Sequence, residues 1–189
     1  VTEMASSTTE PLYLSDQIGF VQCLETFGDD LTVVNAARVS FDKVSTSLTE
    51  GDKKLIGYLA KHEHTSPFFH PQVRFRIKMP IFVAREWFRH TIGFARNEVS
   101  RRYVDSAPEC WIPGVEDVRE RDPRVKQGSK DSAVADAEEV QVSIRRQIHS
   151  AMRTYESLLE KGVAPEVARA VLPQSMYTEF IETGSLAAY

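Results

Sequence analysis

Residues 85–102 read Arg-Glu-Trp-Phe-Arg-His-Thr-Ile-Gly-Phe-Ala-Arg-Asn-Glu-Val-Ser-Arg-Arg. Five arginines against two glutamates give this stretch +3 in a chain whose formal net charge is -4. Arg85 and Arg89 are four positions apart and share a helical face, with Glu86 and His90 on the neighbouring ridge. Beyond Gly93, Ser100 adds a hydroxyl and Arg101 and Arg102 add two guanidinium forks. Guanidinium groups take phosphate oxygens in pairs, so this density of arginine points to a phosphorylated ligand. The same residues also admit a solvated helix face held by Arg–Glu pairs. A third reading is a nucleic-acid patch stacking bases on Trp87, Phe88, Phe94 and Tyr103. The acidic balance of the whole chain weighs against that third reading.

Other chemistries find less support. Ser100 has no histidine and acid at a spacing that would make it a nucleophile. His62, His64, His70 and His90 include a His-x-His pair, but no carboxylate or third ligand sits at a supporting spacing, so no metal is expected. The two cysteines, Cys23 and Cys110, form neither a CxxC nor a ligand pair, which suits a reducing compartment rather than a disulfide scaffold. No apolar run approaches the length of a membrane span, and residues 1–15 lack the apolar core of a signal peptide. A soluble, cytoplasmic protein without a membrane partner is the expectation.

These residues need a frame to hold them. The chain has 189 residues, 42% apolar and 26% charged, enough for one domain with a core of its own. Residues 1–13 are rich in Ser and Thr and are expected to be flexible, leaving 14–189 as the domain. A first strand is predicted over 19–27, followed by a turn at Gly28-Asp29-Asp30 whose carboxylate caps a helix over 31–39. A second helix follows over 52–61. In residues 72–78, Val73, Phe75 and Ile77 alternate with Arg74, Arg76 and Lys78, the period of a strand with one buried face. Pro80 ends that strand and opens a helix over 81–90, which Gly93 breaks. Residues 103–112 are predicted to return as a strand, and 113–132 to form an exposed excursion. A long helix over 133–161 carries Val140, Ile144, Ile148, Met152, Tyr155 and Leu159 at helical spacing, as core or as subunit interface, and Gly162 ends it. Pro165 opens a short helix, and a final apolar stripe holds Met176, Phe180 and Leu186. The fold class expected is α+β: a mainly antiparallel sheet with helices packed on one face, one of them long.

Arg89-His90-Thr91, an eight-residue spacer and Ser100 resemble the signature of the flavin-dependent thymidylate synthases, an Arg-His-Arg triplet followed after seven or eight residues by serine. Residues 80–88, 35–41, 64–68 and 167–173 resemble other recurrent blocks of that family, in its order. Two positions depart from the pattern: Thr91 stands where a second arginine is usual, and Glu86 where glutamine is frequent. The family's later helix, with the arginine that activates the uracil, would fall beyond Tyr189, so the chain is expected to lack its C-terminal end and no catalytic residue is assigned. The resemblance implies binding of dUMP by Glu86, Trp87, Phe88, Arg89, Glu98, Val99, Ser100, Arg101 and Arg102, with Arg169 reaching from a neighbouring subunit. It implies contacts to FAD from His64, Ser66, Arg89, His90, Thr91, Asn97, Glu98, Ser185 and Ala187. NADPH and methylenetetrahydrofolate would be co-substrates and the assembly a homotetramer. Neither cysteine lies in a segment like that of thymidylate synthases that attack with a thiolate. The rival expectation is a non-catalytic module that binds RNA or nucleotides through residues 85–102.

Overall fold

The structure, a computed structural model, describes residues 8–104 and 106–189. Its strands in chain order are β1 (Leu12–Tyr13), β2 (Phe20–Phe27), β3 (Gln72–Pro80), β4 (Phe94–Glu98), β5 (Arg119–Arg121), β6 (Ser129–Ala133) and β7 (Tyr177–Ser185). Its helices are α1 (Asp30–Arg38), α2 (Glu50–Lys61), α3 (Ile81–Trp87), α4 (Ala137–Glu160) and α5 (Pro165–Ala168). A mainly antiparallel sheet and one long helix make it α+β, as the sequence predicts. The chain divides into two compact units, one of the residues up to Met79 with 85–98 and 179–189, the other of 80–84 and 99–178.

In the first unit the sheet order is β1-β2-β3-β7-β4. The alternation in β3 buries Ile77 and leaves Arg74 and Arg76 exposed. Those arginines are held across the sheet: Arg74 pairs with Glu25 at 2.6 Å and Arg76 with Glu179 at 2.6 Å. Strand β2 runs antiparallel to β3 from Phe20 opposite Lys78 to Phe27 opposite Gln72, with a bulge between Cys23 and Glu25. Residues 1–7 of the segment expected to be flexible lie outside the described residues. From Thr8 the chain follows β2, with Thr8 Oγ1 donating to the Leu24 carbonyl at 2.8 Å and Thr9 N to that of Cys23 at 2.9 Å.

Local chemistry starts both helices of this unit. Asp29 accepts from Thr32 N at 3.0 Å, and Thr32 Oγ1 accepts from Asp29 N at 3.1 Å, a reciprocal cap that fixes the start of α1 where the turn predicts it. Thr49 and Asp52 make the same box, so α2 begins at Glu50, two residues before the predicted start. Val33, Val34 and Leu59 carry the buried faces of the two helices.

Strand β7 is the element that the sequence conceals. Of its apolar stripe only Phe180 lies inside the strand, buried, while Met176 precedes it and Leu186 follows it, 47% exposed. The strand runs antiparallel to β4 from Glu98 opposite Phe180 to Phe94 opposite Gly184. Strand β4 itself sits where a loop is expected after Gly93.

In the second unit α4 spans 24 residues, with Ile148 and Tyr155 buried on its apolar stripe while Val140 and Leu159 are exposed. Gly162, at φ +77°, takes the left-handed conformation that ends it. The strand expected over 103–112 does not form (Asp105 lies outside the described residues). Pro108 interrupts it, lacking the N–H a ladder needs, and only a short antiparallel contact is left. There Trp111 N donates to the Ser175 carbonyl and Tyr177 N to that of Glu109, each at 2.8 Å. The exposed excursion carries its own hairpin, β5 antiparallel to β6, with Lys130 and Glu120 paired at 2.6 Å.

Candidate functional site

Helix α3 ends at Trp87, three residues before the pattern predicts. Arg89 N donates to the Glu86 carbonyl at 3.2 Å and His90 N to that of Trp87 at 3.3 Å, so the last turn tightens and releases the chain. Gly93 follows at φ +80°, and a Cβ there would lie 2.9 Å from Ala188 Cβ and 3.1 Å from Ser185 Oγ. Glycine is the residue this loop can accept.

The loop brings several expected residues together. Arg89, His90, Thr91 and Ile92 line a groove of about 300 Å³ with Phe69, Phe94, Ala187 and Ala188. Ile92 is 82% exposed. Ser185 does not face this groove as an open hydroxyl: it is buried against Gly93, and its Oγ has no hydrogen-bond partner. Arg89 and Glu86 form the ion pair that a solvated helix face predicts, at 3.2 Å with both side chains about three-quarters exposed. A pair so exposed contributes little, so a ligand phosphate competes for Arg89 at small cost.

His64 and Ser66 belong to a separate, larger cleft of about 1120 Å³, lined also by Arg38, Ser40, Phe41, Lys43 and Tyr58. Tyr58 stands edge-on to His64, with ring centroids 6.1 Å apart, and against His62 at 4.3 Å. Asn97 and Glu98 are exposed on β4, opposite Ile181 and Phe180 of β7. Trp87 is 39% exposed and Phe88 half-buried, and each has a partner on β7. The Trp87 indole N–H donates to Glu182 at 2.9 Å, and Phe88 packs edge-on to Phe180 at 4.8 Å.

The remaining expected residues lie in the second unit. Ser100 Oγ accepts from Arg102 Nε at 3.3 Å, and the Arg102 guanidinium lies 5.0 Å from the Tyr103 ring centroid. Hydroxyl and fork are thus presented side by side. Arg101 is half-buried and donates to the Ser106 carbonyl at 2.5 Å. Val99 is 40% exposed, and Arg169 is exposed at the start of a 3-10 turn after α5. Burial pushes the Cys110 thiol above its usual range, against the smaller pull of the Arg101 charge.

Three residues escape the sequence reading. Arg96 of β4 pairs with the fully buried Glu182 of β7, and Tyr189 Oη donates to the same carboxylate at 3.0 Å. Burial, then the carboxylate beside it, pushes the Tyr189 phenol well above its usual range. No local signal in the sequence separates Glu182 from Glu179 of the same strand; only the fold shows that Glu182 is buried, where such a charge needs a cation.

A guanidinium, an imidazole and a hydroxyl beside Phe69, Ile92 and Phe94 suit a ligand with an anionic part and a flat apolar part. A flavin nucleotide has both, so the residues present fit that group. Among the described residues no cluster of three or more His, Cys, Asp or Glu could hold a metal ion, and no helix is long and apolar enough to cross a membrane.

Comparison with known proteins identifies the family. A family described as thymidylate synthase complementing protein matches residues 23–189. The flavin-dependent thymidylate synthase of Thermus thermophilus is 45% identical over 162 residues, which cover 86% of this chain and 58% of that protein. That of Thermosipho africanus is 44% identical over 175 residues, 87% of this chain and 71% of its own. Among solved structures, the UMP/dUMP methylase PolB from Streptomyces cacaoi bound with 5-Br dUMP aligns with a TM-score of 0.77 at 33% identity, over 89% of this chain and 74% of that one. This chain spans little more than half the length of the Thermus relative. It belongs to the thymidylate synthase complementing protein family, the family of the flavin-dependent thymidylate synthases.

Proposed function

We propose that the chain methylates dUMP to dTMP in the cytoplasm, with methylenetetrahydrofolate as one-carbon donor and FAD as cofactor, within a homotetramer whose sites draw on several copies. A methylene carbon passes from the folate to C5 of the pyrimidine. Two electrons from NADPH reduce it to a methyl group, leaving tetrahydrofolate and NADP⁺. Bound flavin supplies the hydride chemistry, which no side chain can.

The chain's own residues bind and orient. Arg89, His90 and Thr91, with Ala187 across the groove, would hold the flavin, and His64 and Ser66 would contribute from their cleft. Ser100 and Arg102 would take the nucleotide phosphate with Arg101 and Arg169, a hydroxyl and guanidinium forks being the groups that phosphate oxygens select. Glu86, Glu98 and Val99 would border the pyrimidine. Trp87 and Phe88 would act from behind the loop. Exposed ligand residues such as Arg89 and Glu86 suit a site that further copies of the chain enclose. Two free cysteines accord with a reducing cytoplasm.

The observation that carries this reading is the groove beside Arg89-His90-Thr91, where cationic and apolar groups meet. Its test is the visible spectrum of the purified protein with added FAD, recorded on NADPH addition with and without dUMP. Retained flavin that bleaches and responds to dUMP is expected. UMP belongs in a parallel titration, since the Streptomyces neighbour is a methylase of both nucleotides. A protein that retains no flavin, and instead binds oligonucleotides with an affinity that falls steeply with salt, would replace this reading with a nucleic-acid module.

A further inference from the structure

Arg96 belongs to the arginine-rich stretch, yet it does not face solvent. Its side chain is 13% exposed and lies between two rings, 5.2 Å from the Phe88 centroid and 4.7 Å from that of Phe94. Its Nε donates to Oε2 of Glu182, which is fully buried on β7. Its Nη1 donates to the carbonyl oxygen of His90 at 2.6 Å. Glu182 also accepts from Trp87 Nε1 at 2.9 Å and from Tyr189 Oη at 3.0 Å. One carboxylate therefore ties the end of α3 to β4, and one guanidinium ties β4 to the middle residue of Arg89-His90-Thr91.

We infer that Arg96, held by Glu182, is a positioning residue for the proposed flavin site: it fixes the His90 carbonyl and so the direction in which Arg89 and Thr91 meet the groove. The inference rests on the reading given under Proposed function. Packing alone does not call for this pair, because apolar side chains of similar volume fill such a space at least as well as two buried charges. Those side chains could not hold a carbonyl. The other backbone anchors of the loop are two tight-turn bonds from Arg89 and His90, a bond from Phe94 N to the Thr91 carbonyl at 3.3 Å and one from Ser185 N to the Gly93 carbonyl at 3.2 Å, none of which holds the His90 carbonyl. Fixing one peptide plane between them removes the rotation that would swing the flanking side chains.

The test compares the wild type with Arg96→Lys and with the double variant Arg96→Met/Glu182→Leu, by amide hydrogen exchange without flavin and by FAD titration. Lysine keeps a cation opposite Glu182 but brings a single nitrogen, which cannot serve both partners in the arginine's geometry. The double variant removes both charges together and leaves neither buried alone. In both, amides of residues 89–94 are expected to exchange about tenfold faster while β2 and β3 keep wild-type rates, and FAD affinity is expected to fall about tenfold. Wild-type exchange at 89–94, or unchanged FAD affinity once the loop has loosened, overturns the inference. A uniform rise across the first unit also overturns it, since that marks a role in stability alone. Should the double variant fail to fold, Arg96→Lys decides by the same two readouts. Loss of FAD binding confined to the variants supports the inference, whereas a wild type that binds no FAD overturns the proposed function itself.

Discussion

Arg38 at the end of α1 and Asp52 in the first turn of α2 form an ion pair whose carboxylate is 1% exposed and whose guanidinium is about one-third exposed. Asp52 is almost fully occupied: one oxygen takes the Thr49 hydroxyl at 2.6 Å and the Thr49 N–H at 2.9 Å, the other takes Arg38 and, at 3.5 Å, Ser45. The pair therefore caps one helix and joins it to the other. It also sets Arg38 in the wall of the cleft that holds His64 and Ser66.

An acid-stability prediction follows from that geometry. The Thr49 hydroxyl first, then its N–H, then Arg38 and Ser45, hold the Asp52 carboxyl below its usual value against the opposing effect of burial. A carboxyl depressed in the folded state stabilises above its unfolded pKa, about 3.9, and loses that contribution as pH falls through the lower folded value. Urea midpoints are expected to drop below about pH 4. Asp52→Asn should lower the midpoint near neutrality and flatten the acid limb. An acid limb of the same depth in that variant would remove Asp52 as its source. Thr49→Ala, which deletes the hydroxyl that accepts from Asp52 N and donates to the Asp52 carboxylate, should cost about 1 kcal/mol.

The Arg96–Glu182 pair gives a second prediction, on stability alone. Glu182→Leu leaves the Arg96 guanidinium without its counter-charge beside Phe88 and Phe94, a loss of about 3–5 kcal/mol. Adding Arg96→Met should restore part of it, because the uncompensated charge goes too while Trp87 Nε1 and Tyr189 Oη still lack their acceptor. Denaturant unfolding of the two single variants, the double variant and the wild type measures the coupling. Additive losses would mean that the pair does not act as one unit.

Where structure was written locally, the sequence could be read. The alternation of Val73, Phe75 and Ile77, the Asp29 cap and the Gly162 stop each depend on neighbours within a few residues. Strand β7 could not be read that way, because its interior positions include Thr178 and Glu182, both buried. A glutamate turned inward makes sense only once Arg96 and Trp87, far back in the chain, arrive beside it. The site divides along the same line. Arg89-His90-Thr91 stands out in the sequence by its likeness to a family signature, and its residues line one groove, whereas Arg96 reads as one more surface cation until its partners are seen.

Gly93 offers a third prediction. In Gly93→Ala the left-handed backbone costs about 1–2 kcal/mol, and the new methyl meets Ala188 at 2.9 Å and Ser185 Oγ at 3.1 Å. The thermal midpoint should fall and FAD retention with it, since the groove includes both Ala188 and the residues just before Gly93. A variant with wild-type midpoint and flavin content would show that the loop relaxes without consequence.

The last prediction concerns the nucleotide phosphate. Ser100 and Arg102 are coupled by the 3.3 Å contact from Nε to Oγ, and Tyr103 flanks the guanidinium at 5.0 Å. If they take one phosphate together, Arg102→Ala should weaken dUMP binding by about 1–3 kcal/mol, the usual worth of a charge-assisted contact. Ser100→Ala should cost less, because the arginine keeps its charge. The double variant should lose less than the two single losses combined, since each single change already disturbs the shared contact. FAD retention is the control, as Arg89, His90 and Thr91 are untouched. Isothermal titration with dUMP at two salt concentrations separates the cases: a charge contact weakens with ionic strength in the wild type and shows a shallower dependence in Arg102→Ala. Unchanged dUMP affinity with flavin retained would take Arg102 out of the phosphate site and leave Arg101 and Arg169 as its candidates.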